Sequence, residues 1–246
     1  MFEKNNILFF LVVFLTNIIQ CITGFAGTVL AMPFSIMLVG FDIAKPILNV
    51  LGIAASIGII ASNAKAVNKY ELCKILSLSL VGMLAGLLII TFVNISAGIL
   101  YKILGTVILG FTIMGCSQTF SKYQPKSDKP SILSYLVLIA GGLVHGMFVC
   151  GGPLIVVYAA RTLKDKEEFR TTLSAVWIVL NSFIMFSDIQ AGAFVYNTNL
   201  LMSACMVVLL FALIIGNLIA RKMNKKLFMI LTYALMAISG ISLLIK

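Results

Sequence analysis

The sequence predicts an all-α polytopic membrane protein made of two inverted repeats, each a glycine-broken helical hairpin plus three spanning helices. Three observations carry this expectation. First, 61% of the residues are hydrophobic and only 11% charged, with a mean hydropathy of +1.12; membrane bundles have this composition and soluble cores do not. Second, the apolar residues fall into about eight charge-free runs, at 5–41, 46–64, 75–101, 103–121, 130–160, 171–187, 189–220 and 227–245. Most reach the roughly 20 residues a spanning helix needs. Third, the first and fifth runs are too long for one span, and each is broken by glycine near its middle.

The break in the first run is Thr23-Gly24-Phe25-Ala26-Gly27-Thr28, with Pro33 a few residues on. The run could pass for a signal peptide, but no Ala-x-Ala site follows it and seven more apolar runs do, so it is expected to stay as membrane structure. The stretch 46–64 reads as a single helix, followed by a loop carrying Lys65, Lys69 and Lys74. A helical pair follows at 75–92 and 101–116. The longest polar segment, 117–131, divides the chain into a first repeat at 1–121, a linker at 122–130 and a second repeat at 131–246.

The second repeat opens on a run that contains Gly141-Gly142-Leu143-Val144-His145-Gly146 and Val149-Cys150-Gly151-Gly152-Pro153. Glycine costs about 1 kcal/mol and proline about 3 kcal/mol inside a helix, whereas proline is welcome in a first turn. Gly151-Gly152-Pro153 therefore reads as a break and a new helix start. Such a start leaves backbone N–H groups and a positive dipole end inside the protein, a place that binds anions. The competing reading is a glycine-lined contact between close-packed helices. After it come a charged loop at 161–170, a helix at 171–188, an uncharged loop at 191–199, a helix at 200–220, the basic loop 221–226 and a last helix at 227–245.

The halves match weakly in identity and well in order of features. Gly24 aligns with Gly146, Lys45 with Arg170 and Asn49 with Ser174. Charge then decides the topology. With eight simple spans the lysines and arginines split almost evenly between the two sides. If each glycine-broken run is a hairpin returning to its own side, all but Lys4, Lys45, Lys102 and Lys246 of the 18 fall on one side. That obeys the positive-inside tendency. It also inverts the second half and brings the two glycine tips together near the midplane, where inverted-repeat transporters place their sites.

Gln20-Cys21-Ile22-Thr23-Gly24-Phe25-Ala26-Gly27 with Pro33, and Gly146-Met147-Phe148-Val149-Cys150-Gly151-Gly152-Pro153 with Tyr158 and Glu168-Phe169-Arg170, resemble the two motifs of the TauE/SafE family of sulfite exporters and anion permeases. The likeness covers essentially the whole chain. Val149 and Cys150 stand where members often carry glycine or an aliphatic residue, and Thr28 interrupts the usual glycine cluster. The resemblance implies a multi-pass protein of the cell membrane that moves a small anion (sulfite, a sulfonate or a similar sulfur-containing or organic acid), often outward.

The substrate-binding candidates are the break residues Gln20, Thr23, Gly24, Phe25, Gly27, Thr28, His145, Gly146, Cys150, Gly151, Gly152 and Pro153, with Asn49, Ser174 and Asn181 as polar groups in apolar runs. His145 is the only histidine and could carry a proton. Lys45 and Arg170 could attract or gate anions, although the ordinary reading is that they snorkel to the interface. No cofactor or metal is expected: the five cysteines have neither metal nor disulfide spacing.

The +10 net charge sits between apolar runs, as in cytoplasmic loops, so lipid and not nucleic acid is the expected surface partner. No Gly-x-Ser-x-Gly, His-Glu-x-x-His, Walker loop or dinucleotide fingerprint is present, and one histidine leaves little room for hydrolytic catalysis. The expectation is thus a secondary anion transporter, not an enzyme, with a proton or Na+ as the candidate coupling ion. An anion channel and a non-transporting membrane assembly protein are the alternatives.

Overall fold

A computed structural model of the chain describes residues 4–92, 132–163 and 165–245, and helical positions at 98, 102, 105–106, 109–110, 112–113 and 116–117. The expected linker at 122–130 lies outside the described residues, as does most of the expected helix at 101–116. Every regular element among the described residues is a helix: α1 (Lys4–Thr23), α2 (Ala26–Val39), α3 (Phe41–Ser62), α4 (Lys69–Phe92), α5 (Ile132–Phe148), α6 (Gly152–Thr162), α7 (Lys166–Gln190), α8 (Tyr196–Lys222) and α9 (Lys225–Ile245), plus a short 3₁₀ turn at Ala64–Ala66. Five of them, α1, α3, α4, α7 and α8, are long and apolar enough to cross a bilayer. At 1.5 Å per residue the 20 residues of α1 reach about 30 Å.

Both glycine-broken runs fold back on themselves. In the first, a Cβ on Gly27 would meet the Gln20 side chain and the Thr16 carbonyl. In the second, a Cβ on Gly141 would meet Leu154 and Ile155. The chain therefore turns at residues 24–25 and 149–151, and α1–α2 and α5–α6 are helical hairpins. α5 runs along α4 on interlocking small residues. Gly82 and Gly86 of α4 press on the backbone of Ile139 and Leu143, while Gly142 and Gly146 of α5 press on that of Ser79 and Met83. Two Gly-x-x-x-Gly ridges thus seat each helix in the other's groove, the close approach membrane helices use where lipid offers no hydrophobic drive.

α7 packs mainly on α3 and α4 and reaches both hairpins through side-chain hydrogen bonds. It starts five residues earlier than expected. Asp165 caps it by accepting from the Glu167 and Glu168 amides at 2.9 Å, and the two glutamates in the first turn suit its positive dipole end. The charged stretch 166–170, expected as loop, is helical for that reason. α3 likewise starts at Phe41, so Lys45 and Pro46 lie inside it.

The loops sort themselves by end. At one end Asn68 donates from its side chain to Glu168 Oε1 (2.7 Å) and from its backbone to Thr172 Oγ1 (3.0 Å), and Lys166 reaches the carbonyls of Ala220 and Met223. The basic loops after α3, α6 and α8 are therefore neighbours. At the other end Lys45 of α3 pairs with Asp188 of α7 at 2.6 Å.

Candidate functional site

At the first break, Gly24 takes a left-handed backbone (φ +81) and is pressed against the Arg170 backbone, so a side chain there is excluded twice over. Thr23 closes the turn. Its hydroxyl donates to the Ile19 carbonyl at 2.8 Å and accepts from the amides of Phe25 (3.3 Å) and Ala26 (3.1 Å). Gln20 Oε1 accepts from the Gly27 amide at 2.7 Å. The opening amides of α2 are thus satisfied from within the hairpin.

Two carbonyls at the first break accept from α7. Trp177 Nε1 donates to the Gly24 carbonyl at 2.7 Å, and Arg170 Nε donates to that of Cys21 at 2.6 Å. Arg170, expected as an interfacial or gating cation, is only 2% exposed. Its guanidinium also reaches Asn217 of α8 and, at 3.5 Å, Glu167. Ser174 donates back to the Arg170 carbonyl at 2.8 Å within the same helix.

The second break is built differently. Val149 takes a left-handed backbone (φ 58), which is strained for a β-branched residue. Gly151 follows, packed where a Cβ would meet the Gly141 carbonyl and the His145 side chain. α6 then starts at Gly152 with Pro153 in its first turn and no side-chain cap. Its leading amides have no partner within the helix. Of the two helix starts, the one at α6 alone is left uncapped.

The two breaks meet across a small, half-open pocket. The first hairpin contributes Gln20, Phe25, Thr28 and Val29; the second contributes His145, Val149 and Gly152; α7 adds Trp177 and Asn181. A Cβ on Gly152 would stand 3.3 Å from the Phe25 carbonyl oxygen, so this glycine keeps the hairpin tips together. No lining residue is charged. A short polar chain runs along one wall. Asn49 of α3 donates to the Asn181 carbonyl at 3.0 Å, and His145 Nε2 lies 2.8 Å from Asn181 Oδ1. The His145 ring lies at 34° to Trp177 with centroids 5.3 Å apart. His145 Nδ1 and Asn49 Oδ1 are buried without a hydrogen-bond partner.

Of the residues singled out from the sequence, Gln20, Phe25, Thr28, His145, Gly152 and Asn181 line the pocket, and Asn49 touches it through Asn181. Thr23, Gly24 and Gly27 shape the first hairpin; Gly151 and Pro153 shape the second. Gly146 faces α4, and Cys150 and Ser174 are buried away from the lining. Sequence reasoning missed Trp177, Val29 and Val149 as lining residues, and Asp188 as the partner of Lys45. Trp177 carried a signal: it is the only tryptophan, one helical turn from Asn181 in an apolar helix, hence on the same face.

Spanning helices interrupted by two abutting breaks around a polar pocket are the pattern of membrane transport proteins. The chain belongs to the sulfite exporter TauE/SafE family, whose family model matches residues 9–243, nearly its whole length. Members are membrane transporters, not enzymes. No curated protein and no solved structure matches the chain.

Proposed function

We propose that the chain is a secondary transporter that carries a small oxyanion, such as sulfite or a sulfonate, outward across the cell membrane, through two inverted repeats whose hairpins enclose the site. One observation carries the reading: the uncapped start of α6 opens on a pocket lined by neutral polar groups. A helix N-terminus stabilises an anion by roughly 0.3–2 kcal/mol. A lysine or arginine buried at the same depth would cost roughly 2.5–3.5 kcal/mol on insertion scales. For a site that must release its cargo, the helix end is the better instrument. The hydroxyl of Thr28 and the amides of Gln20 and Asn181 complete a neutral cage. Lys45 and Asp188, at the outer end of α3 and α7, are placed to act as a gate.

Proteoliposomes containing the purified chain test the reading. Saturable sulfite efflux that responds to a proton or sodium gradient is expected. A current that grows without saturation would mean a channel, and no flux at all would leave an assembly role. Gly152→Ala should slow transport, since its methyl group would crowd the Phe25 carbonyl, and Gly152→Leu should abolish transport while the protein still inserts.

A further inference from the structure

We infer that the pocket selects the hydrogen-bearing monoanion of a diprotic oxyacid, with the substrate's own O–H donating to Nδ1 of His145. The inference rests on the pocket being an anion site. Its independent support is the hydrogen bonding of His145. Asn181 Oδ1, 2.8 Å from Nε2, can only accept. Nε2 must therefore carry the hydrogen, which leaves Nδ1 of the neutral ring as a bare lone pair. Nδ1 is buried and unpartnered in a side chain 2% exposed. A buried acceptor without a partner is costly, and a ligand that brings a donor removes the cost. A ligand bringing only oxygen lone pairs meets repulsion there instead.

The surrounding charges favour the same species. From α7 the ring meets Trp177 and Asn181. That helix's Arg170 and Asp188 are engaged with Cys21 and Asn217 and with Lys45, respectively. α4 packs on α5 through Ser79 and Met83; its Glu71 and Lys74 lie nearer the start of that helix, paired with each other and, through Glu71, with Tyr158 of α6. Cys150, on the break itself, does not line the pocket, and α2 brings no titratable group to it. Among the described residues no carboxylate is therefore at hand to hold an imidazolium. The pocket also meets the carbonyl end of α5 as well as the amide end of α6, and the two dipole ends partly cancel. A monoanion suits that field better than a dianion. The proton then travels on the cargo, and no protein group has to take it up or release it.

Calorimetry on the purified full-length chain, run without oxygen, tests this with sulfite, sulfate and methanesulfonate across the pH range where sulfite loses its second proton. Sulfite affinity should fall about tenfold per pH unit once the dianion dominates, as one linked proton requires. Sulfate, a dianion with no O–H near neutral pH, and methanesulfonate, a monoanion with none, should bind at least tenfold more weakly and without pH dependence. His145→Gln, which offers a donor as well as an acceptor, should narrow the gap between sulfite and methanesulfonate. Methanesulfonate binding that strengthens on acidification in step with sulfite would place the proton on His145 and overturn the inference. Equal, pH-independent binding of sulfite and methanesulfonate would also overturn it while leaving the anion site intact. Failure of every anion to bind would remove the site itself.

Discussion

Val149 presents two opposed effects. Its left-handed backbone costs about 1–2 kcal/mol for a residue with a Cβ. Close packing of its side chain, 2% exposed, offsets part of that cost through van der Waals contacts. Val149→Ala would lose most of the burial and keep the strain, whereas Val149→Gly loses the burial and releases the strain. Val149→Gly should therefore be at least as stable as Val149→Ala, the reverse of the usual order in helical proteins, and thermal unfolding of the two variants in detergent checks it. Arg170 is the second informative residue. Arg170→Gln should lower stability by about 1.5–3 kcal/mol for each charged hydrogen bond lost, through the first hairpin and not through anion affinity. Arg170→Lys should not restore it, because one ammonium does not reproduce the guanidinium's fork between Cys21 and Asn217. An unchanged melting temperature in Arg170→Gln would refute this role. Both residues show what single positions could and could not tell in the sequence. His145, Asn181 and Gly152 stand out because polar groups, glycine and proline are expensive in apolar runs. Trp177, Val29 and Val149 are ordinary membrane residues by type, and only the fold gives them their place on the pocket wall.

Among the elements, the α4–α5 contact is the most sensitive to a single added methyl group. A Cβ on Gly146 would collide with the Met83 carbonyl, and one on Gly82 with the Ile139 carbonyl. Gly146→Val should destabilise by about 1–3 kcal/mol or more, lowering the melting temperature by about 2–4 °C per kcal/mol. Sulfite affinity measured in the folded fraction should change little, since Gly146 does not line the pocket. A large loss of affinity with normal stability would move the anion to this face. The hairpins were legible in advance because glycine and proline break an apolar period in a way nothing else does. Which amides the breaks leave open was not legible. Thr23 and Gln20 cap α2 across one turn, and α6 has no equivalent, a difference set by side-chain geometry more than by residue type. The start of α7 was readable in principle: Asp165 followed by Glu167 and Glu168 is a capping signal that the surrounding charge disguised as loop.

At the scale of the whole molecule, the loops after α3, α6 and α8 gather at one end, joined by Asn68, Glu168 and Lys166. Counting cations anticipates this grouping, because the distribution of lysine and arginine reflects the membrane potential and lipid charge more than local packing. A cysteine introduced at position 165 should be inaccessible to an impermeant thiol reagent added outside intact cells and reactive after permeabilisation. Labelling from outside would place these basic loops on the outer surface. The bonds that close the first hairpin also bear on how the chain is made. Cys21 and Gly24 depend on donors from Arg170 and Trp177, 149 and 153 residues further on. During synthesis the first hairpin reaches the bilayer well before either donor leaves the ribosome. Until then its tip carbonyls lack their protein partners in a medium that offers no substitute. The hairpin has to wait close to water or beside the insertion machinery, and the arrival of α7 is the event that lets the first half of the protein settle.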